Sequence, residues 1–125
     1  MKEVRFYKCP ICSNIVELVE GDIKRTKCCG REMELLVANT VDAAVEKHVP
    51  VYEVVDNELV VTVGEVEHPM QEEHYIEWVS IQTKFGNQRK ALAPNSKPEV
   101  CFTICDGDEV ENVFAYCNLH GLWKA

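Results

Sequence analysis

Val110-Glu111-Asn112-Val113-Phe114-Ala115-Tyr116-Cys117-Asn118-Leu119-His120-Gly121 decides how this chain is read. Val110 to Tyr116 has the β-branched and aromatic content of a long strand. It delivers Cys117 to its end. A thiol and an imidazole then stand three residues apart, followed by a glycine that lets the backbone turn sharply. Both side chains ligate metals at neutral pH, and this spacing lets them reach one ion. Taken alone the pair is weak, since a Cys and a His this close are more often unrelated. The chain holds only three other histidines, His48, His68 and His74, and each adjoins a feature that needs explaining.

Upstream of this stretch the pattern is β. Val100, Phe102 and Ile104 share one strand face, opposite Cys101, Thr103 and Cys105, and we read the two cysteines as packing residues. Val51–Val55 and Glu58–Val63 flank Asp56-Asn57, a hairpin turn. A strand over His74–Ile81 places His74, Ile76 and Trp78 on one face; Val79 and Ile81 make the other partly apolar, so the strand suits the middle of a sheet. Phe85-Gly86-Asn87-Gln88 reads as a turn before a short strand, Arg89–Leu92. Pro50 ends any helix and makes Val49 extended, which puts His48 on a loop entering a strand. About seven short strands with turns between them predict an antiparallel sandwich for residues 38–125. A sandwich gathers its loops at its ends, so distant segment ends can meet at one ion.

Residues 1–37 form a separate small domain. Val4–Lys8 and Ile15–Val19 are short strands around Cys9-Pro10-Ile11-Cys12, and Lys27-Cys28-Cys29-Gly30 follows the second. The pattern is C-x2-C, fifteen residues, then C-C. Four thiols on two turns separated by a hairpin predict a tetrahedral metal site. Adjacent cysteines fit the relaxed loop of a zinc ribbon poorly, so a distorted site is expected; spacing leaves zinc and a single iron both open.

Composition limits the functions available. Of 125 residues, 46 % are hydrophobic, enough for a real core, and the formal net charge is -8. That balance argues against nucleic acid and anionic membrane surfaces as partners. No apolar run approaches a membrane span, and Met1–Pro10 lacks the apolar centre of a signal peptide. Seven cysteines, an odd number, favour metal binding in a reducing compartment over disulfides. A cytoplasmic protein is expected.

Several motifs together carry a family resemblance. Glu-Lys-His-Val-Pro at 46–50, His-Pro-Met at 68–70, His74 with Ile-Glu-Trp at 76–78 and Cys-Asn-Leu-His-Gly at 117–121 resemble superoxide reductase. The N-terminal cysteines resemble the desulforedoxin-type domain. In order and over nearly the whole chain, the motifs resemble the desulfoferrodoxin family, the two-iron form. The resemblance implies a desulforedoxin-like N-terminal domain followed by an immunoglobulin-like antiparallel β-sandwich. It implies two iron ions per chain: one held by Cys9, Cys12, Cys28 and Cys29, the other by His48, His68, His74 and His120 roughly in a plane with Cys117 axial. It further implies one-electron reduction of superoxide to hydrogen peroxide, rubredoxin as electron donor, and a homodimer. Lys47 would attract superoxide and help to protonate the product, and Glu46 would fill the open iron position after product leaves. Outside this motif Glu46 and Lys47 would be an ordinary solvated charge pair. Five protein ligands suit ferrous iron better than zinc, which usually takes four. A non-catalytic two-iron electron carrier and a zinc-binding structural module are the rival readings.

Overall fold

The computed structural model describes residues 2–125, which divide into two compact units, the first up to Val37 and the second from Ala38 to Ala125. In the first, β1 (Arg5–Lys8) pairs antiparallel with both β2 (Ile15–Leu18) and β5 (Glu34–Leu35). A single 3-10 turn, Ile23–Arg25, is capped by Asp22, whose carboxylate accepts the Lys24 N–H at 2.8 Å. β3 (Lys27–Cys28) and β4 (Arg31–Glu32) form a minimal hairpin around Cys29-Gly30. The core is small: Tyr7, Cys9 and Met33, with Leu18, Ile23 and Cys28 packed against it.

The second unit is an antiparallel sandwich. One sheet has the order β10-β7-β6, from β6 (Pro50–Val55), β7 (Glu58–Val63) and β10 (Glu99–Thr103). The other has the order β12-β11-β8-β9, from β8 (Ile76–Thr83), β9 (Gly86–Ala91), β11 (Val110–Cys117) and β12 (Gly121–Lys124). A one-turn helix, α1 (Val45–His48), leads into β6. Alternation along β7 sends Leu59, Val61 and Val63 inward, where they meet Ile76, Val79, Ile81, Phe102, Val113, Ala115 and Cys117. Burial of a side chain such as Phe102 contributes about 1.5–3 kcal/mol. The expected inward face of Val100, Phe102 and Ile104 is present, as is the Asp56-Asn57 hairpin turn, with Asp56 at φ 55°.

Four local expectations change. β8 begins at Ile76, and His74 sits before it in a turn bridged to Gln71. Within β8 the register passes from Trp78↔Tyr116 to Ile76↔Cys117, so Glu77 is an extra residue in a bulge. The bulge reverses the side-chain alternation. Ile76 therefore joins Val79 and Ile81 in the core, and Trp78 stacks on Tyr116 with ring centroids 5.3 Å apart. The turn expected over Phe85–Gln88 shrinks to Lys84-Phe85, because the Asp108 carboxylate takes the Phe85 N–H at 3.0 Å and the Thr83 hydroxyl at 2.7 Å and β9 starts at once. His48 is the buried last residue of α1 rather than a loop residue. Of the two cysteines read as packing residues, Cys101 is half-buried and donates to the Glu58 carboxylate at 3.6 Å, whereas Cys105 is exposed.

Two candidate metal centres

In the first unit two tight turns aim four thiols at one point. The Cys9–Cys12 turn closes by the Ser13 N–H donating to the Cys9 carbonyl at 3.2 Å, with Ser13 at φ 64°. The Ile11 and Cys12 amides donate to Cys9 Sγ at 3.4 and 3.5 Å. The second turn reverses through Cys29 at φ 52° and Gly30 at φ 72°. A left-handed cysteine is unfavourable for an L-residue, and here it lets neighbouring thiols face the same point. The four sulfurs of Cys9, Cys12, Cys28 and Cys29 lie within 4.8 Å of one another. Amide donors, the Cys12 N–H foremost, pull the Cys9 thiol down to about 6. The neighbouring Cys12 thiol pushes Cys28 up to about 12 and also raises Cys29. One thiolate forms readily there and further ionisation is opposed. A cation among the sulfurs would relieve that opposition, and with four sulfurs this close the donor set fits a thiophilic metal ion.

In the second unit the donors come from four places: the end of α1 (His48), the turn after β7 (His68), the bridged turn before β8 (His74), and the β11–β12 turn (Cys117 and His120). His48, His74, Cys117 and His120 have ligand atoms within 4.8 Å of one another. His68 joins them through Nε2, 3.2 Å from His48 Nε2. The four imidazoles form a square. Going round it, His48–His68, His68–His74, His74–His120 and His120–His48 centroids are 4.6, 4.7, 5.0 and 4.9 Å apart, each pair close to perpendicular. Across the diagonal His48 and His74 are 6.3 Å apart.

Proton placement decides what this square is for. His48 Nδ1 lies 2.7 Å from the Ala44 carbonyl and His68 Nδ1 lies 2.6 Å from the Pro69 carbonyl. A carbonyl only accepts, so both Nδ1 atoms carry the proton. Burial lowers both pKa values, His68 to about 4, and keeps the rings neutral. Two Nε2 lone pairs then face each other at 3.2 Å, with His120 Nδ1 3.1 Å from the His48 one. His74 Nε2 is buried with no hydrogen-bond partner among the described residues. Such an arrangement is costly unless a cation accepts the lone pairs. Burial also holds the Cys117 thiol high, while the His120 N–H donates to its sulfur at 3.4 Å. The five donors fit a metal of high coordination number, iron rather than zinc.

Glu46 and Lys47 are exposed on α1, immediately before His48. After burial and the other histidines, Lys47 is among the charges that disfavour protonation of His48 and His74. Two supporting residues were not singled out in the sequence. Asn118 ties the His74 segment to the Cys117 turn: its Oδ1 accepts the Tyr75 N–H at 3.0 Å and its Nδ2 donates to the Glu73 carbonyl at 3.1 Å. Trp123 lies 4.8 Å from the His48 ring and donates from Nε1 to the His120 carbonyl at 3.1 Å. An amide side chain inside a ligand turn was the available signal for Asn118. Nothing in the order of residues marks Trp123.

Known proteins share this pattern. Residues 40–125 match the family model described as desulfoferrodoxin, and residues 1–36 match the desulfoferrodoxin N-terminal domain. Desulfoferrodoxin of Syntrophotalea carbinolica is 46 % identical over 124 residues, covering 99 % of this chain and 97 % of that one. The superoxide reductase of Treponema pallidum superposes with a TM-score of 0.84 at 38 % identity, covering 99 % of each chain. The superoxide reductase of Giardia intestinalis gives 0.55 at 34 % identity over 64 % of this chain and 95 % of that one. The mainly β fold and both ligand groups agree with this likeness. Since the two family models together span almost every residue and the Syntrophotalea carbinolica relative aligns over nearly its whole length, this chain belongs to the desulfoferrodoxin family.

Proposed function

We propose that the protein is a superoxide reductase, adding one electron and two protons to superoxide to give hydrogen peroxide. The observation that carries the reading is the imidazole square with its inward lone pairs and adjoining Cys117 sulfur. In this reading His48, His68, His74, His120 and Cys117 hold one iron, and Cys9, Cys12, Cys28 and Cys29 hold another. Iron, when bound, supplies the electron by changing its oxidation state by one. With iron bound, Cys117 would supply anionic sulfur and push electron density toward the metal, the effect used by thiolate-ligated haem. Lys47 Nζ attracts the anionic substrate and passes a proton through water. Glu46 would offer its carboxylate as a further ligand once product has left.

An external one-electron donor, rubredoxin by family likeness, restores the reduced state. A cytoplasmic setting is supported by seven cysteines that are all free thiols. No helix among the described residues is long and apolar enough to cross a membrane. A homodimer is supported by β6, which lies at the edge of its sheet and exposes Val51, Tyr52, Val54 and Val55.

Pulsed superoxide against the fully reduced protein tests the proposal. The second centre should oxidise at once and yield one peroxide per superoxide, without stoichiometric oxygen. Equal yields of oxygen and peroxide without a donor would mean dismutation. A second centre that stays reduced through the pulse would leave a two-iron electron carrier.

A further inference from the structure

Gly64 begins the short turn between β7 and His68. A Cβ built there would lie 2.5 Å from the Glu46 carbonyl oxygen, 2.7 Å from the Lys47 carbonyl carbon and 2.9 Å from Lys47 Cα. All three are backbone atoms, so no flexible side-chain end can swing aside. The turn is tied on both sides of this contact. The Val66 N–H donates to the same Glu46 oxygen at 2.8 Å, and the His68 N–H donates to the Val63 carbonyl at 2.9 Å. One turn thus grips α1 and carries a ligand.

α1 has little to hold it in place by itself. It is four residues long and has no side-chain cap at Ala44, far below the length at which an isolated helix persists. Its position is therefore set by what it rests on, and at Gly64, just past the end of β7, the two backbones stand too close for a Cβ between them. His48 leaves this turn with its Nδ1 against the Ala44 carbonyl. A displaced turn would carry Lys47 and the His48 ring with it.

We propose that Gly64 is a positioning residue for the second centre: its bare backbone seats Glu46 and Lys47 and so sets where the Lys47 ammonium and the His48 ring stand. Its effect on metal binding does not depend on the reaction; its effect through Lys47 rests on the superoxide reductase reading. Two measurements on Gly64→Ala separate them. In cobalt titration of the full chain, the second centre should bind about 10- to 100-fold more weakly, the usual effect of removing support from a metal ligand. The four-cysteine centre should be unchanged. In pulse radiolysis, Lys47→Ala should slow the parent protein but change Gly64→Ala by less than about twofold, the non-additivity of residues acting as a unit. Cobalt affinity within about twofold of the parent, with the Lys47 effect undiminished, would overturn the proposal.

If Gly64→Ala fails to fold, amide exchange in the parent protein decides. Cobalt binding to His48 and His68 should tighten the turn between them and slow exchange at the Val66 amide by roughly tenfold or more. No change there would overturn the proposal. A parent protein inert to superoxide would end the functional reading and leave the cobalt and exchange results decisive for Gly64.

Discussion

The two centres are built on opposite plans. The four-cysteine set comes from two turns close in sequence, held by a core of a few residues. Two of its cysteines, Cys12 and Cys29, are exposed. The four-histidine set spans residues 48 to 120 and meets only because the sandwich brings strand ends together. His48, His68 and Cys117 are buried. Exposed sulfurs favour exchange of an electron with an outside partner. Buried imidazoles with bare lone pairs favour chemistry that must exclude water and hold neutral ligands rigidly. The contrast suggests a division of labour, which substitutions can break or sharpen.

The largest effect should follow loss of the sulfur ligand at the second centre. Cys117 is fully buried, and its sulfur accepts the His120 backbone N–H at 3.4 Å. Serine keeps the size of the side chain but removes the anionic sulfur. Cys117→Ser should lower the rate of oxidation by superoxide by more than about 100-fold, above the usual cost of losing a mere supporting partner. The absorption of the four-cysteine centre should survive. Retention of the parent rate would remove the thiolate from the mechanism and erase the chemical contrast between the units.

A smaller effect belongs to Lys47. The chain carries a formal charge of -8, which repels an anion at long range. An ammonium about 6 Å from the reacting face contributes about 0.7 kcal/mol at water-like screening and about 2.8 kcal/mol at an effective dielectric near 20. Lys47→Ala should therefore slow the second-order reaction by about 3- to 100-fold. Lys47→Arg should retain most of the rate, because attraction needs charge rather than shape. Added salt should slow the parent and affect Lys47→Ala less. An alanine variant with the parent rate and salt slope would make Lys47 an ordinary surface lysine.

How much of each centre could be read in the sequence follows from the same contrast. The cysteine turns were legible because their geometry is local: C-x2-C and C-C-G specify turns whatever lies around them. The histidines are individually mute. His48 beside Pro50 reads as a solvated loop residue, and only the family motifs joined it to His120. The strands were legible from alternation, and Leu59, Val61 and Val63 follow it. Alternation failed at β8, where the Glu77 bulge moved Ile76 to the core side. A bulge is set by the partner strand's register, which no residue in Ile76–Thr83 encodes alone. The last strand, β12, was not anticipated; Gly121 at φ 78° reverses the chain and pairs with Cys117.

The smallest effect on the reaction should come from destroying the first centre. Each set of donors lies within its own unit: Cys9 and Cys28 belong to the packing around Tyr7 and Met33, whereas Cys117 belongs to the sandwich core. Neither donor set draws a side chain from the other unit. Cys12 is exposed, so serine there leaves no cavity, and its loss as a ligand is confined to the four-sulfur site. Cys12→Ser should abolish the absorption of that site and change the rate at the second centre by less than about twofold, the scatter expected for independent sites. Turnover with a protein donor can fall by more, because electron entry is the task the exposed sulfurs suit. The measurement is pulse radiolysis of the chemically reduced variant, set beside steady-state turnover with donor. Loss of the fast step itself, with the second iron still bound, would show that the two centres act as one and that the division of labour is wrong.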